Sequence, residues 1–168
     1  MPRDLRDRIH LRRAIPEDCD KVWQWRNHPS VRRFSIETKK IDLDRHREWF
    51  ERVLKSRKQI LLIALGNAEE VGVLRFDMDP KTRVASVSIY VKPGKHHRGI
   101  GTEMMNAGER WLRENRPSMK RIVASVRKDN SVSVKLFRRA GFKPVISVFF
   151  KNLTRDGAME KASLRVVQ

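Results

Sequence analysis

Cysteine is nearly absent from this sequence, long apolar runs are missing, and carboxylates are scarce beside bases. Each shortage excludes something. The chain has 168 residues and a single cysteine, Cys19. One thiol cannot staple a domain or complete a cysteine-rich zinc site, so no disulfide and no metal centre are expected. Cys19 reads as a half-buried helix residue rather than a nucleophile. No apolar stretch approaches the ~20 residues of a membrane-spanning helix. The opening MPRDLRDRIHLRR is charged and lacks the apolar core of a secretory signal. These absences predict a cytoplasmic protein without membrane contact. No repeat or low-complexity linker divides the chain, and its length suits one compact domain over residues 1–168.

What is abundant is positive charge. Lys and Arg number 38 against 20 Asp and Glu, a net charge of +18. Such a field attracts polyanions: nucleic acid, ribosomal RNA, acidic lipid heads or phosphorylated small molecules. The bases are spread along the whole chain, which argues against a disordered basic arm. A generally solvated basic surface and a functional patch are both open readings.

Hydrophobic periodicity orders the chain. Ile9–Ala14 predicts a short strand, and 16–27 a helix ended at His28-Pro29, because a residue before proline avoids helical angles. Asp42 is the expected N-cap of a helix over 42–57, with Leu43, Phe50, Val53 and Leu54 on one side. QILLIAL, VGVLRFDMD and RVASVSIYV predict three successive antiparallel strands. A helix over 101–115, a strand over 121–126 and a helix from Asn130 stopped by Gly141 follow. KPVISVFFKNL and MEKASLRVV read as two last strands, able to complete a monomer's sheet or to pair across a homodimer. The order predicts an α/β (α+β) chain: a mixed, mostly antiparallel sheet of about seven strands flanked by about four helices.

The densest local signal is YVKPGKHHRGIGTEMM, Tyr90–Met105. Gly99 and Gly101 carry no Cβ, so a ligand can approach the backbone closely. The helix behind them begins with free N–H groups and partial positive charge. Lys95, His96, His97 and Arg98 add positive potential. The sum is an anion cradle suited to a phosphate or diphosphate. It is neither the three-glycine dinucleotide fingerprint nor a P-loop, since no Gly-Lys-Ser/Thr closes it.

The spacing Val91-x-Pro93-x-x-His96-x-x-Gly99-x-Gly101 resembles motif A of the GNAT superfamily of N-acetyltransferases, which reads V-x-P-x-x-Q/R-x-x-G-x-G/A at the end of the fourth strand. Asn130, Leu136-Phe137 and Gly141-Phe142 resemble its second motif, N-x-x-A-x-x-L-Y-x-x-x-G-F. The resemblance implies acetyl-CoA as cofactor and a cleft where the fourth and fifth strands splay apart. It implies that backbone groups of the strand Ile89, Tyr90 and Val91, above all Ile89 and Val91, hold the pantetheine. The turn from His96 and His97 through Arg98, Gly99, Ile100 and Gly101 to Thr102 would take the diphosphate. Asn130 would lie at the pantetheine arm or near its sulfur, and Phe137 would line the same wall. Replacing Gly101 with Asp is expected to abolish acetyl-CoA binding and leave the fold intact.

Two departures fall at the chemical centre. The family commonly has a tyrosine acid where this chain has Phe137, which donates no proton. Ser133, one turn earlier, could hydrogen-bond the leaving thiolate or simply bond its own helix start. The strand RVASVSIYV also lacks the carboxylate base of many relatives. Ser86, Ser88 and Tyr90 share one face of it by period two. Water held by the serines could relay a proton, and Tyr90, Asp77, Asp79, His28 and His46 are further candidates.

The acceptor side of the superfamily is built from the first two helices. WRNHPSVRRFS and HREWFERVL resemble sugar-nucleotide N-acetyltransferases acting on a UDP-linked 4-amino-4,6-dideoxy sugar and, less closely, ribosomal-protein N-terminal acetyltransferases. Arg26, Arg32 and Arg33 could meet a diphosphate, Trp25, Phe34 or Trp49 could stack on a base or sugar, and Asn27 and His46 lie in the same region. The aromatics read equally as core residues of two amphipathic helices. Three functions are therefore carried forward: a small-molecule acetyltransferase, a protein N-terminal acetyltransferase docked on RNA, and a CoA- or nucleic-acid-binding module without catalysis.

Overall fold

The run Gln59–Gly66 is apolar on both sides, and it becomes an interior strand covered on both faces. A computed structural model describes residues 9–95 and 99–145. In it, strands β1 (Ile9–Arg13), β2 (Gln59–Gly66), β3 (Glu69–Asp79), β4 (Val84–Val91) and β5 (Arg121–Ala124) form one sheet in that order. The first three neighbour pairs are antiparallel and β4–β5 is parallel. The mixed, mostly antiparallel sheet matches the expected class. The two last expected strands lie largely or wholly in 146–168, outside the described residues.

Alternation sorts the strands into two faces. Leu62, Leu74, Phe76 and Ala85 pack with Ile100, Met104, Met105 and Leu112 of α4 (Ile100–Asn115) and with Phe137 of α5 (Ser131–Arg139). Leu61, Ile63 and Val73 face the other way. They meet Val22 and Trp25 of α1 (Cys19–Asn27) and Phe50 and Val53 of α3 (Leu43–Lys55). Asp42 caps α3 as expected, its carboxylate accepting from Asp44 N at 3.0 Å and Arg45 N at 3.2 Å.

Three details differ from the sequence reading. Pro16–Asp18 forms a 3-10 turn before α1 rather than its first turn. Pro29 starts a short helix, α2 (Pro29–Arg32), because a proline at the first helical position has its φ already set and needs no N–H partner. The strand expected to reach Val126 ends at Ala124, and this shortening opens the site described next.

Candidate active site

β5 runs beside only the first half of β4, pairing Val84–Val87 with Arg121–Ala124. From Ser88 onward β4 has no strand on that side among the described residues. The Lys92 N–H donates across to Val71 O on β3 at 2.8 Å. Hydrogen-bond direction alternates along an antiparallel strand, so Tyr90 and Ser88 also turn their backbone groups to β3. Ile89 and Val91 therefore present N–H and C=O groups to the open edge, where an extended chain can add as a strand.

The same edge leads into the start of α4. Gly99 adopts φ +93°, a left-handed conformation that side chains rarely tolerate. The first bond of the helix runs from Glu103 N to Gly99 O at 3.0 Å. The N–H groups of Ile100, Gly101 and Thr102 thus have no partner within the helix, which is the requirement for an anion cradle. His96, His97 and Arg98 lie outside the described residues. Lys95 is engaged in an ion pair with Glu69, which offsets part of the positive field expected there. A half-opened strand edge beside free helix amides fits the two halves of acetyl-CoA, an amide-rich arm and a diphosphate.

Gly101 is also a packing site. A Cβ there would stand 2.5 Å from Leu136 Cδ1 of α5. The expectation that Asp at 101 leaves the fold intact is qualified: its Cβ can enter only if the Leu136 side chain moves aside.

The first turn of α5 faces this region with mixed roles. Asn130 is buried, and both ends of its amide are occupied. Its Oδ1 accepts from Ser133 N at 3.0 Å, and its Nδ2 donates to Phe34 O at 3.2 Å. The residue ties α5 to the loop between α2 and α3. The Ser133 hydroxyl bonds no described residue, so the alternative role of bonding its own helix start is not taken up. Phe137 is a core residue, edge-on to Phe142 at 5.0 Å.

On the opposite face, Ser88 is exposed and stands across from Arg75. Asp77 accepts from Gln59 Nε2 at 2.6 Å and Arg75 Nε at 3.0 Å, so both its oxygens are engaged. Asp79 is occupied in its turn, bonding Lys81 N and Thr82 Oγ1, each at 2.9 Å. The Tyr90 hydroxyl donates to Val22 O at 3.4 Å, and burial pushes its pKa far above the ordinary value. At neutral pH it is a phenol, unable to accept a proton as a base.

The expected acceptor residues divide sharply. Asn27 grips Ile41 through both amide ends, Nδ2 to Ile41 O and Oδ1 from Ile41 N, each at 2.8 Å. Arg32 donates to Asn27 O at 2.8 Å and Thr38 O at 3.1 Å. Both build the loop between α2 and α3 rather than offer free groups. Trp25 is buried in the core with Lys92 Nζ 5.1 Å from its ring centre. Phe34 lies under the Arg33 guanidinium at 4.4 Å, and Trp49 lies under Arg75 at 5.7 Å. Arg26 donates to Glu37 O at 2.9 Å, while its Nη1 is buried with no hydrogen-bond partner among the described residues. Burial lowers its pKa. Arg75 was missed from sequence. Its alternation with Leu74 and Phe76 marked a polar face, but only the β3–β4 register sets it beside Ser88.

His46 is corrected outright as a base candidate. His46 is 2% exposed between α1 and α3, its ring tilted against Trp49 and Phe50. Nε2 meets Cys19 O at 3.1 Å, and a carbonyl only accepts, so that nitrogen carries the proton. Burial lowers its pKa. The unfolded ring binds a proton below about pH 6.5 that the folded ring refuses, so stability falls on acidification through that range. The melting temperature is expected to drop more steeply between about pH 7.5 and 5.5 in wild type than in His46→Gln, which keeps a donor but does not titrate. Equal slopes would refute the assignment.

Among the described residues, no helix is long and apolar enough to cross a membrane. No curated protein matches the chain closely enough to count. Solved structures do match. The aminoglycoside acetyltransferase AAC(6')-Ib, in complex with ribostamycin and coenzyme A, superposes with TM-score 0.72 at 19% identity, over 82% of this chain and 84% of that one. The spermidine N-acetyltransferase of Vibrio cholerae, with CoA and spermine, gives TM-score 0.74 at 15% identity, over 86% and 88%. The ribosomal L7/L12 N-terminal acetyltransferase RimL, with coenzyme A, gives 0.66 at 15% identity, over 80% and 79%. At these identities the likeness is one of fold. The family model of the acetyltransferase (GNAT) domain matches residues 8–143. The chain belongs to the GNAT acetyltransferases, enzymes that take acetyl-CoA as cosubstrate.

Proposed function

We propose that this protein transfers the acetyl group of acetyl-CoA to a primary amine by direct attack in a ternary complex, and that the acceptor is an anionic, nucleotide-linked amino sugar. The observation that carries the first part is the half-paired edge of β4 running into the free amides of α4. Acetyl-CoA supplies an activated thioester carbonyl. Ile89 and Val91 hold its arm through backbone groups, and Ile100, Gly101 and Thr102 direct N–H groups at its diphosphate. Ser133, whose hydroxyl bonds no described residue, is suited to hydrogen-bond the sulfur as negative charge builds there. Ser88 is the exposed hydroxyl of β4 best suited to hold a water that takes the proton of the amine.

Charge supports the second part. Arg26, Arg75 and Lys92 line the face where Ser88 and Tyr90 project, where they outnumber the nearby described carboxylates Asp77, paired with Arg75, and Glu37, which acts on Arg26. Such a wall repels polyamines and aminoglycosides and attracts phosphate. The test is thiol release from acetyl-CoA with a UDP-linked 4-amino-4,6-dideoxy sugar, the same sugar without UDP, spermidine, and an N-terminal peptide. Release with the UDP form is expected to exceed that with the bare sugar by at least about tenfold, as lost charge-assisted bonds imply. Faster release with spermidine overturns the acceptor class. Release with the peptide alone transfers the activity to protein N-termini.

A further inference from the structure

The end of the sheet away from the cofactor cleft gathers three chain connections. Residues 56–58 lead into β2, 80–83 join β3 to β4, and 116–120 lead into β5. Sheet order sets them side by side across a width of about 14 Å, three strand spacings. Their exposed residues include Arg57 and Lys58, Lys81 and Arg83, and Lys120, with Arg121 at the start of β5. None of the three connections contains an acidic residue. None of these six bases forms an ion pair with a described carboxylate. Flanking Asp79 bonds Lys81 N and Thr82 Oγ1 within its own turn and keeps its charge, one carboxylate against the six bases.

The strip is also stiff. Arg83 sits at φ +60°, and its carbonyl accepts from Lys120 N at 2.8 Å and Arg121 N at 3.3 Å. Its Nε donates to Ser118 O at 3.0 Å. Met78 N donates to Lys58 O at 2.7 Å, fixing the first connection to β3. The bases are therefore held in a fixed row instead of waving on a tail. The other residues of the strip are Arg116, two prolines and small polar side chains, with Met119 packed against the core, so nothing here inserts into a bilayer. The length of β4, about 24 Å at 3.4 Å per residue, separates this row from the cleft.

We infer that this end of the sheet is a docking surface for the phosphate backbone of nucleic acid, independent of sequence and separate from the acetyl-transfer site. A basic row in which six exposed bases stand beside a single flanking carboxylate, Asp79, meets a chain of phosphates by counterion release, and binding then weakens steeply with salt. The test is fluorescence anisotropy with a short single-stranded RNA over a range of KCl. The triple variant Lys58→Glu, Lys81→Glu, Lys120→Glu is compared with Lys135→Glu, Arg138→Glu, Arg139→Glu on α5, which makes the same change in net charge elsewhere. The first variant is expected to bind RNA at least about tenfold more weakly and to lose about 2 from the salt slope, three contacts at ~0.7 each. Its acetyl-CoA affinity and melting temperature stay at wild-type values. An equal loss in the α5 variant would mean that net charge alone binds RNA, and would overturn the inference. Wild-type RNA affinity in the first variant overturns it as well, as does tighter binding of the wild-type protein to phosphatidylserine vesicles than to RNA.

Discussion

Gly101→Asp is expected to weaken acetyl-CoA binding by at least about 100-fold, roughly 2.8 kcal/mol. A carboxylate in the first turn of α4 competes with the diphosphate for the free amides of Ile100, Gly101 and Thr102 and repels it. The new side chain also meets Leu136, 2.5 Å from the position of its Cβ. The single variant therefore combines two effects, a lost cradle and a displaced Leu136 side chain. Adding Leu136→Ala separates them, because it empties the space the new Cβ would enter. Calorimetric titration with acetyl-CoA and a thermal melt read the two effects independently. The double variant is expected to melt where Leu136→Ala alone melts and still fail to bind. Acetyl-CoA affinity restored in the double variant would show that the helix start is no cradle and that Gly101 serves packing alone.

Asn130→Ala is expected to lower kcat/KM by about 10- to 100-fold and to destabilise the fold by about 1–2 kcal/mol, the usual cost of a lost N-cap. One amide ties two elements together: Oδ1 starts α5 at Ser133, and Nδ2 holds Phe34 O of the loop between α2 and α3. Truncation leaves a helix N–H and a loop carbonyl without partners and frees Ser133 to shift. Asn130→Asp separates the two functions. It keeps the cap acceptor but presents a carboxylate to the Phe34 carbonyl. The melting temperature is expected to stay near wild type while acceptor KM rises and acetyl-CoA affinity holds. If Asn130→Asp weakens acetyl-CoA binding instead, the residue contacts the cofactor directly, and its description as a strut between the two elements is wrong.

The parts of the site that were legible in sequence are those with local causes. A proline, two glycines and the start of a helix specify a candidate anion cradle within a dozen residues, because free N–H groups and positive φ are properties of the chain itself. The Asp42 cap and the alternation of β4 are local in the same way. Roles that depend on a distant partner were not legible. Asn130 is capped onto its own helix and bonded to Phe34, 96 residues away in sequence. His46 looked like a titratable group on an acceptor helix, but 3.6-residue spacing turned it inward beside Phe50, under α1. Asn27 and Arg32, polar and close to aromatics, could be read as ligand contacts. Their partners, Ile41 and Thr38, belong to a loop whose path only the fold specifies.

The sequence by itself determined the class of sheet, most of the order of elements, the glycine turn at the start of α4 and the absence of a motif acid at Phe137. Those follow from periodicity, capping and residue chemistry within short windows. Tertiary structure decided where β5 stops beside β4, which opens the edge at Ile89 and Val91. It decided that Arg75 stands across from Ser88, that Gly101 packs on Leu136, and that three separate basic connections meet at one end of the sheet. Each of these depends on register and strand order, set by contacts between residues far apart in the chain, and no local window carries that information.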